Sequence, residues 1–309
     1  MAPQAPVGTR RVRVRVPATA ANLGPGFDAL GLALTLYNEV ELEEAEGIEV
    51  EIGGEGAATL PRGEENLVVQ GARAVYRSTG RPFRGLRVRQ TNRIPPGRGL
   101  GGSASAWLGG MLGANALLGD RLSREAVLDL AIQHEGHPDN LAAALHGGLI
   151  VVCWEPEARL VAKLPVPDGI GLVLLVPDRE ASTREARAIL PEVVPRQDAV
   201  FNVGRACLLL AALWQERWDL LAPAMADRLH QPYRRGLFPW IDGVFAAARR
   251  SGALGWALSG AGPSVLTVVR GAPEPLARAL EAALAAEGLK GQSLVLGVDR
   301  EGARVEEMS

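Results

Sequence analysis

Residues 11–18, RVRVRVPA, alternate charged and apolar side chains, the period of a strand with one buried face. ALTLYNEVELEEA (33–45) and GIEVEIGG (47–54) extend the strand pattern. ENLVVQGARAVYRSTG (65–80) changes to helical spacing and stops on a glycine. GLRVRQTNRI (85–94) alternates again and runs into PPGRGLGGSAS (95–105). A helix is expected from about Ser103 to Leu118, a second over SREAVLDLAIQHEG (123–136) with Ser123 as N-cap, and a short third over DNLAAALHGG (139–148). LIVVCWE (149–155) reads as a buried strand. Past Pro156 the pattern restarts with a strand over 169–178, a loop ASTREARAILPEVVP (181–195), and helices over 198–230 and 238–251. GWALSGAGPSVLTVV (255–269) reads as two strands pinched around a second glycine turn, followed by an amphipathic helix (273–288) and a closing strand SLVLGV (293–298). This succession is α+β, with hairpins in both halves instead of a steady βαβ alternation. Pro156, Pro165 and Pro167 mark a boundary near 155–168, dividing the chain into 1–160 and 161–309.

A chain of 309 residues fits one large domain or two ordinary ones, and 47% apolar with 22% charged residues is a globular balance. The formal charge of −2 lacks the basic excess of a nucleic-acid binder, so no nucleic-acid partner is expected. No uninterrupted apolar run reaches membrane-spanning length, and MAPQAPVGTRRVRVRVPA has no signal-peptide core. The expectation is a soluble, cytoplasmic protein with no membrane partner. Cys153 and Cys207 lie far apart in apolar segments, which predicts two buried free thiols in a reducing compartment. No His/Cys set has zinc spacing. Lysine occurs only at Lys163 and Lys290, a bias broad enough to reflect the base composition of the genome.

The glycine-dense loop at 95–105 opens a helix, a natural anion site. Gly97, Gly99 and Gly102 satisfy G-x-G-x-x-G. However, Arg87, Arg89 and Arg93 on the preceding strand disagree with the buried parallel strand of a dinucleotide fold, and another helix follows where a strand ending in an acid is required. A P-loop needs a lysine that is absent here, and the protein-kinase motifs H-R-D and D-F-G are missing. What remains is a phosphate loop in which a helix N-terminus and the hydroxyls of Ser103 and Ser105 act in place of the lysine. Ser103 could equally be only an N-cap.

Three stretches then align in order: PATAANLGPGFDALGLAL (17–34), PPGRGLGGSAS (95–105) and LSGAGPSVL (258–266). Together they resemble the GHMP superfamily of small-molecule kinases. ANLGPGFDALGLAL, EGHPDN (135–140), STREAR (182–187) and HQPYR (230–234) are similar to the homoserine kinases within it. The resemblance spans about 11–299. It departs at Gly102, where the usual G-L-G-S-S motif carries serine. It implies an N-terminal ATP-loop domain, a C-terminal ferredoxin-like domain, and ATP- and Mg²⁺-dependent phosphorylation of the L-homoserine hydroxyl in threonine biosynthesis. Homodimers are common in the family, which admits a homodimer here.

The resemblance also implies roles for particular residues. The ATP loop comprises Pro95, Pro96, Gly97, Arg98, Gly99, Leu100, Gly101, Gly102, Ser103, Ala104 and Ser105. Ser103 and Glu135 would hold the metal; an acid at a helix C-terminus opposes the dipole and suggests an outside reason for Glu135. Asp28 and Asn22 would meet the substrate ammonium, and Arg187 and Arg234 its carboxylate, where a planar fork favours arginine. His137, Asn140, Thr183 and Gly262 complete the substrate set. Asn140 occupies the position where many superfamily members carry a catalytic aspartate, so catalysis is expected from Asn140, Glu135 and Ser103 by positioning and charge stabilisation without a strong base. His134, His146 and His230 are expected to serve structure. The alternatives are a GHMP kinase for a mevalonate-type, sugar or diphosphocytidyl-erythritol substrate, which would leave the ammonium and carboxylate partners without purpose, or a non-catalytic nucleotide-binding regulator.

Overall fold

A computed structural model describes residues 10–155 and 158–308. The elements run β1 (Arg11–Ala21), β2 (Leu30–Glu44), β3 (Gly47–Gly54), α1 (Leu67–Ser78), β4 (Gly85–Asn92), α2 (Gly102–Leu117), α3 (Arg124–Glu135), α4 (Pro138–His146), β5 (Leu149–Glu155) and β6 (Ala158–Leu164). There follow β7 (Ile170–Pro177), α5 (Thr183–Ala188), α6 (Arg196–Trp214), α7 (Leu221–Ala224), α8 (Gln231–Arg234), α9 (Ile241–Arg250), β8 (Gly255–Leu258), β9 (Val265–Arg270), α10 (Glu274–Ala286), β10 (Gly291–Leu296) and β11 (Arg304–Met308).

The first sheet has the order β11-β1-β2-β4-β3, with the β5–β6 hairpin attached to β2. Its alternating strands divide sharply. Val12, Val14, Val16, Leu42, Leu86 and Val88 point inward onto α1 and α2 and are essentially unexposed, each such side chain contributing about 1.5–3 kcal/mol. On the open face Arg13 pairs with Glu41 (2.7 Å), Arg87 with Glu49 (2.8 Å), Arg89 with Glu51 (3.0 Å) and Arg93 with Glu39 (2.8 Å). Such exposed pairs add little stability, but they keep this face solvated. The glycines inside α2 serve close packing: a Cβ on Gly110 would lie 2.0 Å from the Val68 carbonyl oxygen of α1.

The second sheet, β10-β7-β9-β8, is antiparallel, and the βαββαβ order of its elements is the ferredoxin-like arrangement. β7 is apolar throughout because both its faces are covered. Val173 and Leu175 meet α9 and α10, while Leu172, Leu174 and Val176 share a core with Leu30, Leu32 and Leu34 of the first sheet. The two halves are thus joined by apolar packing, and the polar site lies at their seam. Among the described residues no helix is long and apolar enough to cross a membrane.

The 160/161 division falls within β6, which pairs with β5 on the first sheet and ends at Leu164, inside the 155–168 stretch. Three sequence expectations change. β11, unforeseen because EGARVEEMS shows no apolar alternation, returns to pair with β1. Part of the expected 181–195 loop forms α5, capped by Ser182 accepting from the Glu185 N–H. Cys153 and Cys207 are exposed free thiols, not buried ones, because the C-terminal end of β5 and the outer face of α6 are uncovered. Pro156 and residues 1–9 lie outside the described residues.

Candidate active site

Six segments converge at the seam: the β1–β2 connection, the 95–105 loop, the junction of α3 and α4, the start of α5, the end of α8 and the β8–β9 turn. They enclose a cavity of about 110 Å³ lined by three arginines (Arg98, Arg187, Arg234) and three acids (Asp28, Glu135, Asp139). Asn22, His137, Asn140, Thr183 and the backbone of 97–103 complete its wall. Beside it, sharing Gly97, Gly102 and Ser103, opens a second, more apolar cavity of about 180 Å³.

The glycine loop is shaped by close approach. Gly99 and Gly101 have φ of 72° and 69°, where only glycine is at ease, and a Cβ would stand 2.2 Å from the Ser259 carbonyl oxygen or 2.1 Å from Thr19 Oγ1. The second glycine turn buttresses the first, since Ser259 Oγ donates to the Gly99 carbonyl at 2.7 Å. α2 is capped by Gly101 without any side-chain bond, so Ser103 is not an N-cap, and the first-turn N–H groups have no acceptor within the helix. The Ser103 hydroxyl instead donates to Glu135 Oε2 at 2.6 Å. Burial raises the Glu135 pKa, against the lowering effect of bonds from Ser103 and Trp107.

Gly102 differs from its neighbours. Its φ is not positive, and a Cβ there meets nothing nearer than 3.9 Å. Gly102→Ser is therefore expected to leave Tm within about 1 °C of the parent and ATP affinity equal or tighter. Gly101→Ala, by contrast, should cost at least 1–2 kcal/mol, roughly the left-handed backbone penalty alone. Thermal denaturation and calorimetric titration with ATP measure both.

Asp28 and Arg187 form a two-pronged ion pair, 3.0 Å from Nη1 to Oδ2 and 2.5 Å from Nη2 to Oδ1. The expected ammonium partner and carboxylate partner hold each other. Asp28 itself sits at φ 55° and Asn22 at φ 70°, strained values for non-glycine residues. Asn22 fixes this connection, donating to the Gly260 carbonyl at 2.9 Å and accepting from the Asp28 N–H at 3.1 Å. Arg234 is 1% exposed and donates to the carbonyls of Ala186 (3.1 Å) and Gly260 (3.0 Å). Burial first, and then Arg187, lower its pKa to about 10, against Asp28, Asp227 and Asp139. Phe27 lies beneath both guanidinium groups, 5.3 Å from Arg187 and 5.5 Å from Arg234. The His137 pKa is lowered by burial and then by Arg187, which favours the neutral ring.

Asn140 is held on two sides: Thr19 Oγ1 donates to its Oδ1 at 2.7 Å, and its Nδ2 donates to Asp139 Oδ1 at 3.2 Å. Asp139 is 2% exposed, and burial, then the Asp28 charge, push its pKa up to about 7. A buried carboxylate with a raised pKa is bound more strongly by its proton in the folded chain. Its stabilising effect is complete below the unfolded value and is lost as pH rises through about 7. Asp139→Asn is therefore expected to melt higher than the parent at pH 8, with the gap closing as pH falls below 7.

Not every expected residue lines the site. Ser105 faces inward, donating to the Gly102 carbonyl (2.9 Å) and accepting from Asn38 Nδ2 (3.0 Å), so its hydroxyl is not free for phosphate. Pro95 and Ala104 are buried and line neither cavity; they anchor the loop from below. Gly262 also lies outside both cavities, packed against Phe238, and Gly260 and Ala261 take the wall position instead. His230, expected to be structural, places Nδ1 3.0 Å from Arg234 Nη1 and stacks on Phe27. The residues missed were Thr19, Phe27, Asp139 as a wall residue, and the wall of the second cavity: Asn38, Leu60, Asn66, Gln90 and Asn92. A signal for the last group existed: Gln90 and Asn92 are polar at inward positions of the alternating strand β4.

A family model for the GHMP kinases N terminal domain matches residues 66–148, and one for the GHMP kinases C terminal region matches 209–286. The homoserine kinase of Moorella thermoacetica is 47% identical over 277 residues, 90% of this chain and 94% of that protein. That of Symbiobacterium thermophilum is 47% identical over 305 residues, 95% of this chain and 94% of that protein. The crystal structure of homoserine kinase from Cytophaga hutchinsonii superposes with a TM-score of 0.86 at 30% identity, covering 99% of this chain and 100% of that one. With such identity sustained over nearly the full length of both proteins, and with both GHMP models matched in order, the chain belongs to the homoserine kinase family of the GHMP kinases.

Proposed function

We propose that this chain transfers the γ-phosphoryl group of ATP to the side-chain hydroxyl of L-homoserine, yielding O-phospho-L-homoserine and ADP on the route to threonine in the cytoplasm. The observation that carries this reading is the pairing of a phosphate loop, ending in the Ser103–Glu135 bond, with a neighbouring cavity whose three arginines and three acids suit a zwitterion. The apolar second cavity, rimmed by Asn66, Gln90 and Asn92, has the chemistry to take the base and ribose of the nucleotide.

The loop backbone and the start of α2 receive the triphosphate through N–H groups and the helix dipole. Ser103 and Glu135 present a hydroxyl and a carboxylate 2.6 Å apart, hard oxygen donors of the kind Mg²⁺ accepts when phosphates and water complete its shell. Mg²⁺ bound there would neutralise phosphate charge during transfer. Substrate entry exchanges the Asp28–Arg187 pair for two pairs: Asp28 with the ammonium, and Arg187 with Arg234 on the carboxylate. Phe27 keeps the two guanidinium groups in place while this happens. The homoserine oxygen then attacks phosphorus as the bond to the β–γ bridging oxygen breaks. Asn140, immobilised by Thr19 and Asp139, orients the attacking hydroxyl, and its proton leaves on the transferred phosphoryl group.

On this account Asp139 is not the base. Asp139→Asn should keep kcat within about tenfold of the parent, whereas loss of a general base costs about 10²–10⁴. A fall of that size, with folding and homoserine binding intact, would make Asp139 the proton acceptor.

The whole reading is tested by incubating the protein with Mg·ATP and L-homoserine and following the products by ³¹P NMR. One phosphomonoester resonance is expected for each ADP formed. ADP release without that resonance, or no consumption of ATP, overturns it.

A further inference from the structure

The Arg234 guanidinium is anchored at two of its three nitrogens. Nε donates to the Ala186 carbonyl at 3.1 Å, and Nη1 is shared between the Gly260 carbonyl and His230 Nδ1, each 3.0 Å away. Nη2 has no hydrogen-bond partner among the described residues and is not sealed inside the protein, so it faces the cavity that Arg234 lines. All three acceptors are neutral. Arg187, by contrast, is already paired with the Asp28 carboxylate.

This contact fixes the state of the His230 ring. A guanidinium has donors only, so the Nδ1 that it meets is the bare nitrogen and the ring proton sits on Nε2. Nε2 then donates to the Gly24 carbonyl at 2.7 Å, with the Asp227 carboxylate 3.5 Å from the same nitrogen. The ring is fully buried, and burial lowers its pKa, which holds it neutral. A second proton would set a donor on Nδ1 against a donor on Arg234. The ring is also clamped in place. Asp227 accepts the backbone N–H groups of Leu229 (2.8 Å), His230 (3.1 Å) and Gln231 (2.7 Å), fixing the turn into α8. Phe27 stacks on the imidazole with ring centroids 5.2 Å apart.

We propose that His230 is a positioning residue for substrate selection, whose bare Nδ1 sets the plane of the Arg234 guanidinium and leaves its charge unneutralised for a carboxylate. The proposal rests on the reading of Arg234 as a partner of the homoserine carboxylate. An acid at this position would hold the guanidinium but cancel its charge, and an apolar side chain would leave the charge but release the plane. A neutral acceptor avoids both losses.

Two substitutions separate positioning from packing. His230→Asn can place an amide oxygen where Nδ1 stands and keep the acceptor for Arg234, whereas His230→Gln reaches the Gly24 carbonyl instead. The probe is 3-amino-1-propanol, which is homoserine without its carboxylate. His230→Gln is expected to lower kcat/KM for L-homoserine about tenfold to a hundredfold, the usual effect of losing a hydrogen bond to a charged group. Turnover of 3-amino-1-propanol and KM for ATP should change far less. His230→Asn should keep most of the preference for L-homoserine, although both variants lose the stacking on Phe27 and should show similarly lowered Tm. If both variants slow the two substrates equally, His230 only supports the fold and the proposal falls. A parent that neither binds L-homoserine in calorimetry nor phosphorylates it overturns the functional reading, and this proposal with it. The parent alone supplies a second check, independent of how the variants fold. ¹⁵N NMR of the His230 imidazole, assigned from its own backbone, should show Nε2 protonated and Nδ1 bare at neutral pH, and a proton on Nδ1 overturns the proposal.

Discussion

Glu135→Gln is expected to lower kcat by at least about 100-fold, in line with the several kcal/mol that metal-assisted charge stabilisation supplies, while Tm stays level or rises. The stability half of this expectation follows from position. Glu135 is the last residue of α3, ahead of Gly136, where an acid meets the negative end of the dipole at a cost of about 0.3–1 kcal/mol. Its burial also disfavours the charged form. The carboxylate is favoured by the Ser103 hydroxyl at 2.6 Å and by Trp107, both of which glutamine can still engage. The activity half follows from the same contact, because an amide cannot replace the anion beside the phosphate loop. The Mg²⁺ concentration giving half-maximal rate should rise with the loss of kcat. If kcat were unchanged and Tm lower, Glu135 would be a brace between α2 and α3 and the metal assignment would fall.

The second large effect concerns Asp28. Asp28→Asn should reduce kcat/KM for L-homoserine about 100-fold or more, within the 2–5 kcal/mol lost when one partner of a buried charge pair is removed. KM for ATP should change little, because Asp28 does not line the second, more apolar cavity proposed to take the base and ribose. The informative control is 4-hydroxybutanoate, which keeps the carboxylate and hydroxyl but lacks the ammonium. The parent should discriminate strongly against it, and Asp28→Asn should level that preference. Since Asp28 also holds Arg187 at 2.5 and 3.0 Å, a purely supporting role would instead slow both substrates equally. Comparing the two specificity ratios therefore separates recognition of the ammonium from orientation of Arg187.

Much of this architecture is legible in the sequence because local signals agree with tertiary ones. The 11–18 alternation became β1 with alternating burial, and Ser123 caps α3 by accepting from the Ala126 N–H. The glycine loop stands out in the sequence as a candidate phosphate site because glycine density without a turn motif needs a chemical reason. What stayed hidden depends on contacts distant in sequence. β11 is a strand because β1 offers it an edge, not because its own residues alternate. Thr19 looks like any strand residue until Asn140, brought from α4, accepts its hydroxyl at 2.7 Å. The opposed charges of Asp28 and Arg187 were each legible, but not that they pair with each other across 159 residues of sequence. The buried face assumed for the two cysteines failed for the same reason: an apolar neighbourhood in sequence does not say which side of α6 the core lies on.

The measurement that bears most directly on the central claim is coupled ADP release with Mg·ATP, comparing L-homoserine with L-serine, mevalonate, galactose and 4-hydroxybutanoate. Rapid turnover with L-homoserine, and weak or no turnover with mevalonate, galactose and 4-hydroxybutanoate, is the result predicted by a cavity built for a zwitterionic alcohol, while L-serine reads out the effect of a side chain one methylene shorter. Turnover of mevalonate or galactose with silence towards L-homoserine would keep the ATP loop and contradict the substrate site.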